Sequence, residues 1–201
     1  KSKINFFPIL ADPNIENLKI YENPNRFKDL FFALSHGVNY GKLKRGRKDE
    51  REIFIKELLN RHENINFNIL GIANEAPKWN YSYYRELQKC KMALNLSRGK
   101  PLKYTSSNRI ASLIANGIYT FIDIKTHYDD FFDNDEMGFY KDINDLGNKV
   151  EKIKSNPTKY NKYSSNGKKR YFDLFNSKLI SNYMISKTFD TSIKDKVAWD
   201  K

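Results

Sequence analysis

Five cations, Lys42, Lys44, Arg45, Arg47 and Lys48, follow one another in a short loop with no acidic residue among them, interspersed with Gly37, Gly41 and Gly46. Glycines leave backbone N–H groups open, and beside the start of a helix such a loop makes a phosphate cradle. A solvated basic loop has the same composition. The spacing fits neither the P-loop pattern nor G-x-G-x-x-G, so neither ATPase nor dinucleotide-binding fingerprints apply. A second group comprises Arg98, Lys100 and Lys103, followed by Thr105, Ser106, Ser107, Asn108 and Arg109. Its hydroxyls read as helix caps, yet three cations and a helix start aimed at one crevice also suit a diphosphate, which arginine clamps bidentately.

Other candidates carry less. Asp133-Asn134-Asp135 has the Asp-x-Asp form that holds a divalent cation, but three residues in an acidic loop are a weak match. His62 and His127 have no ligands at metal-like spacing and are expected on the surface or in loops. Trp79, Tyr81, Tyr83 and Tyr84 could stack on a base or a sugar, although packing of a helix explains such aromatics more simply.

These groups must be positioned by strands and helices. Residues 29–35 form a continuous apolar run that suits a strand covered on both faces. Residues 49–61 place Ile53, Phe54, Leu58 and Leu59 at helical spacing behind Asp49, a ready cap. Residues 65–72 read as a strand, 81–91 as a helix, 92–97 as a strand and 106–115 as a helix stopped by Asn116-Gly117. A strand at 118–123, a short one near 138–141 and helices from about 143 to 189 follow. The alternation implies an α/β fold, a Rossmann-like parallel sheet with helices on both faces. Ligands then bind beyond the carboxyl ends of the strands, which is where both basic groups fall. Pro8, Pro13 and Pro24 mark residues 1–28 as a linker arriving from a missing N-terminal domain; residues 29–189 form the binding domain and 190–201 a tail.

The chain has 201 residues, enough for one domain with a core that needs no disulfide. The single Cys90 excludes an internal disulfide and a multi-cysteine zinc site, and fits a reducing compartment. No apolar run approaches the roughly 20 residues of a membrane span, so a cytoplasmic location is expected. The net charge of +12 favours an anionic partner: a phosphorylated small molecule, an anionic membrane surface or nucleic acid.

One resemblance narrows the choice. The stretch from Cys90 through Leu94-Asn95-Leu96-Ser97-Arg98-Gly99, and on through Ser107-Asn108-Arg109 to Asn116-Gly117 and Asp123, resembles the donor-binding segment of family-one-type glycosyltransferases. Phe131-Phe132, Glu136, Gly138-Phe139-Tyr140, Asp145-Leu146 and Asn166-Gly167 extend it downstream, and Phe7-Pro8-Ile9 to Asp12-Pro13-Asn14 upstream. The resemblance implies the C-terminal half of a GT-B fold, which holds a nucleotide sugar and transfers the sugar to an acceptor hydroxyl with no metal required. It implies that Arg109 contacts the donor phosphates, with Lys44 and Arg45 supplying cations from the first loop; Lys42, and Arg98, Lys103, Ser106, Ser107 and Asn108 of the second group, are expected phosphate contacts from their place at the strand ends. His36 and Gly37 are placed to meet the donor sugar or phosphate, though a structural role for the histidine fits equally. Where many retaining members carry two glutamates separated by seven residues, this chain has Tyr104 and Ser112. A basic nucleic-acid-binding module is the competing reading, motivated by Lys, Tyr and Phe interleaved in residues 149–172; it ranks lower because no recognised nucleic-acid-binding signature is present.

Overall fold

A computed structural model describes residues 6–35, 49–72, 75–192 and 197–199. Five strands, β1 (Lys28–Ala33), β2 (Phe67–Leu70), β3 (Cys90–Leu94), β4 (Tyr119–Asp123) and β5 (Gly138–Tyr140), form one parallel sheet in the order β2-β1-β3-β4-β5. Register is fixed by pairs such as Leu30 with Phe67 and Met92, and Phe121 with Gly138. In this order the chain reverses its direction of winding between β1 and β3, and the crevice at their carboxyl ends is the natural ligand position.

Both faces of the sheet are covered, as the apolar runs require. Within β1, Leu30 and Phe32 face one way, into a core with Ile55 and Leu58 of α1 (Glu50–Arg61) and Leu146 and Val150 of α4 (Ile143–Lys154). Phe31 and Ala33 face the other way, toward Leu87 of α2 (Asn80–Leu87) and Leu113 of α3 (Arg109–Ile114). This period-two division across two buried faces is why β1 shows no polar alternation. The expected α/β architecture is therefore the one observed.

Caps set the helix starts. Asp49, Asp142 and Asn156 each accept a backbone N–H from the first turn of α1, α4 and α5 (Pro157–Phe175). Asn176 ends α5 and caps α6 (Ser177–Phe189) through the N–H of Leu179. Gly167 lets α5 lie against the 133–137 turn, because a Cβ there would stand 2.1 Å from the Glu136 carbonyl oxygen.

The segments expected as linker and tail are seated on this body. Ala11 and Ile20 are buried, Ala11 N–H donates to the Phe175 carbonyl and Ser177 N–H donates to the Ala11 carbonyl. Trp199 is buried against Phe175 and Tyr183. His62, expected at the surface, is instead buried at the α1–α4 contact, where a Cβ on Gly147 would lie 2.1 Å from its ring; its Nδ1 lies 3.3 Å from Glu151. The Asp-x-Asp loop is tied to the body by hydrogen bonds: Asp135 accepts from Asn166 and the Asn134 carbonyl accepts from the Tyr119 hydroxyl.

Candidate functional site

The carboxyl ends of β1 and β3 converge on Arg109 at the start of α3. Its Nη1 donates to the Ala33 carbonyl, and its Nη2 donates to the Leu96 carbonyl at 3.0 Å and to the Ser107 hydroxyl at 3.3 Å. The guanidinium lies over the Phe32 ring at 5.2 Å. Burial lowers its pKa to about 10, which leaves it charged at neutral pH. Among the described residues it has no carboxylate within ion-pair distance, and its Nε has no hydrogen-bond partner.

Beside it stands Asp49, whose side chain is fully buried at the start of α1. Arg51 grips both carboxylate oxygens, Nε to Oδ1 at 2.9 Å and Nη2 to Oδ2 at 2.5 Å, and Arg98 Nη2 reaches Oδ2 at 3.5 Å. Burial pushes the Asp49 pKa up, but the bonds from Arg51 and the charges of Arg51 and Arg98 outweigh it and hold the carboxyl well below the usual range. Arg51, Arg98 and Arg109 thus gather at one rim of the sheet, with Glu50 alongside accepting from the Gly99 N–H. The Arg98 side chain is 52% exposed, and its contact to Asp49 is a long one for an ion pair.

A cleft of about 220 Å³ opens from this cluster across the strand ends, lined by Glu50, Arg51 and Phe54 of α1, Leu96, Ser97 and Pro101, and then Asp123 and Tyr140 at the ends of β4 and β5. Asn95, buried at its floor, holds the β3–α3 loop closed: its Nδ2 donates to Ser106 and its Oδ1 accepts from Ser107, both at 2.6 Å.

The candidates from the sequence divide accordingly. Arg98, Ser106, Ser107 and Arg109 meet at the β1–β3 crevice. Lys103 turns away, its Nζ 3.8 Å from Asp130 and 4.7 Å from the Tyr104 ring centre. α3 begins at Arg109 rather than at Ser106, which puts Asn108 at the cap position, but its backbone is already helical rather than extended and its exposed side chain makes no capping bond. His36, Gly37, Lys42, Lys44 and Arg45 lie outside the described residues. Tyr104 donates to Asp130 and Ser112 donates to the Arg109 carbonyl, so both serve local structure. Tyr83 and Tyr84 pack beside the sheet, whereas Trp79 and Tyr81 are exposed. His127 comes within ligand distance of Asp129 and Asp130, all three exposed, with Asp130 already engaged by Tyr104 and Lys103.

A family model described as glycosyl transferase-like matches residues 47–183, most of the chain. The chain belongs to the glycosyl transferase-like family. Among solved structures, this glycosyl transferase-like domain is similar to sucrose-phosphate synthase from Thermosynechococcus elongatus, with 13% identity and a TM-score of 0.54 over 90% of this chain and 49% of that one. It is similar also to TarM, with 11% identity and a TM-score of 0.57 over 90% of this chain and 37% of that one. Both are GT-B glycosyltransferases, and at these identities the match shows a shared fold. The chain spans about half the length of the first and over a third of the second. No curated protein matches it. Family membership favours glycosyl transfer over the nucleic-acid-binding reading. Among the described residues, no helix is long and apolar enough to cross a membrane.

Arg51, Asn95, Asp123 and Tyr140 are not among the site residues expected from the sequence. Asp123 had a usable signal, a carboxylate ending an otherwise apolar strand on the ligand-binding rim. Arg51 had none, since one arginine in a charged first turn is ordinary.

Proposed function

We propose that this domain holds a nucleotide sugar at the carboxyl rim of its sheet and supports transfer of the sugar to an acceptor hydroxyl. One observation carries the reading: Arg51, Arg98 and the buried Arg109 converge at the β1–β3 crevice, where Arg51 and Arg98 share the Asp49 carboxylate and Arg109 has none within ion-pair distance among the described residues. A diphosphate set there meets positive charge that at Arg51 and Arg109 is already desolvated, the arrangement that stabilises a departing nucleoside diphosphate. In this reading arginine supplies the counter-charge and no metal is required. On the same reading His36, Gly37, Lys42, Lys44 and Arg45 contribute further phosphate contacts, and Lys103 and Asn108 serve the phosphates from farther along the second loop.

The acceptor, a glycan or another hydroxyl compound, and the group that deprotonates it belong in this reading to an N-terminal domain facing the rim. The greater length of the similar GT-B enzymes supports that division. A cytoplasmic location, with the net charge of +12 available to an anionic membrane face, goes with such a substrate.

Calorimetric titration with UDP, GDP and dTDP and with their sugar conjugates tests the reading. At least one pair should bind, and Arg98→Ala should weaken that binding about tenfold or more, the loss expected for one charge-assisted contact. If none of these nucleotides binds, the proposal fails.

A further inference from the structure

The far end of the cleft differs in chemistry from the arginine end. The Tyr140 hydroxyl is enclosed, with the residue only 1% exposed, and has no hydrogen-bond partner among the described residues. A buried, unpaired hydroxyl is costly, and a native site that tolerates one has a use for it. Tyr140 lines the cleft and also an adjoining hollow of about 370 Å³, with Phe54 and Asp123 common to both. The Asp123 carboxylate accepts the Lys125 N–H through Oδ1 at 2.8 Å, and among the described residues Oδ2 has no bond. Phe54 and Tyr140, with ring centres 6.0 Å apart, supply an apolar wall. Lys125 and Lys141 stand exposed on the outer lip.

We propose that Asp123 and Tyr140 form a saccharide subsite that grips the hydroxyls of a sugar ring lying against Phe54. A carboxylate with a free oxygen accepts from ring hydroxyls, a phenol donates or accepts beside it, and an aromatic face covers the apolar C–H side of the ring. The same carboxylate repels phosphate at its own position, so a diphosphate is favoured over the β1–β3 crevice, beside the arginines, rather than at Asp123. A ligand with a diphosphate at one end and a neutral polyol at the other has one favourable orientation in it. The inference rests on the nucleotide-sugar reading for that orientation; the sugar itself could arrive on the donor or on the acceptor.

The test is titration of the whole chain and of Asp123→Asn and Tyr140→Phe, each first checked for an unchanged thermal transition, with UDP, UDP-glucose, UDP-N-acetylglucosamine, GDP and GDP-mannose. Methyl glucoside and methyl mannoside are followed in parallel by saturation-transfer NMR. The expected result is that both variants weaken the preferred nucleotide sugar about tenfold and leave its free nucleoside diphosphate within about twofold. A donor sugar gives that pattern; an acceptor sugar instead gives methyl-glycoside transfer signals that the variants abolish. Equal weakening of nucleotide and nucleotide sugar, or no change in either together with unaltered glycoside signals, overturns the subsite. Should no nucleotide bind the parent chain, the donor reading falls by itself, and the subsite then stands only if glycoside signals appear and vanish in Asp123→Asn.

Discussion

Arg109, the first residue of α3, donates from Nη1 to the carbonyl oxygen of Ala33, the last residue of β1, 76 positions earlier in the chain. With its bond to the Leu96 carbonyl, the guanidinium ties the ends of two neighbouring strands at the point where the sheet reverses its winding. One side chain therefore sets the width of the crevice and charges it. Arg109→Ala should lose on both counts: stability falls by about 3 kcal/mol, because a buried charged donor is removed and two carbonyls lose their partner, and nucleotide binding falls with it. Arg109→Lys keeps the charge without the fork and should recover less than half of the stability. Chemical denaturation with and without nucleotide measures both effects.

Arg98 provides the contrast. Its side chain is half exposed and its contact with Asp49 is a long one, so Arg98→Ala should shift the unfolding free energy by less than about 1 kcal/mol. Loss of binding with little loss of stability separates ligand contact from scaffold. A large drop in the thermal transition would assign Arg98 to the fold.

Gly147 on α4 faces His62 with no room for a methyl group, since a Cβ would meet three ring atoms at 2.1 to 2.3 Å. Gly147→Ala should cost about 1–3 kcal/mol by overpacking. Pairing it with His62→Ala should restore part of the loss, and a double-mutant cycle of thermal transitions reads the coupling.

Acid should unfold the domain through paired carboxylates. Burial would raise the Glu86 pKa, but hydrogen bonds from Lys78, Lys89 and Asn68 hold it down to about 2 against an ordinary 4.5. A group depressed on folding stabilises the native state above its unfolded pKa and loses that contribution as pH falls toward its folded value. Stability should therefore decline from about pH 4.5 toward pH 2, with Asp49 acting in the same direction. Glu86→Gln should flatten that limb in a pH series of denaturation curves.

Trp199 fills a gap between Phe175 of α5 and Tyr183 of α6. Trp199→Ala should cost about 3 kcal/mol, in keeping with large aromatic truncations in cores. Differential scanning calorimetry measures it, and an unchanged transition would mean that the Trp199 side chain contributes nothing to the core.

The fold was legible wherever a run of residues shared one environment. Five strands and the three leading helices could be read because Leu30 to Leu34 and Met92 to Leu94 are continuously apolar, Tyr119 to Ile122 is interrupted only by Thr120, and the helices between them show helical spacing, a cap at Asp49 or a stop at Asn116-Gly117. Trp199 and Ala11 were not legible, since single apolar residues in polar segments carry no period and their burial depends on α5 and α6. The phosphate-facing loops could be placed from strand ends, but the roles within them could not. Arg109 stood out as a cation, and only the approach of Ala33 and Leu96 shows that its bonds run to strand carbonyls. The pairing of Asp123 with Tyr140 depends on β4 and β5 being neighbours, which a list of strands does not contain.

The clasp between Ala11 and the α5–α6 junction has a kinetic consequence. The Ser177 hydroxyl donates to Asp12 across 165 positions of chain, whereas the β–α units between them close over far shorter spans. Contacts of such separation gain little until the intervening units are in place, so they should form last. A chain emerging from the ribosome would assemble its sheet before residue 177 is available, leaving the buried side of the Ala11 segment open to water. That interval is when chaperones, or another unclasped copy, would find this protein most accessible.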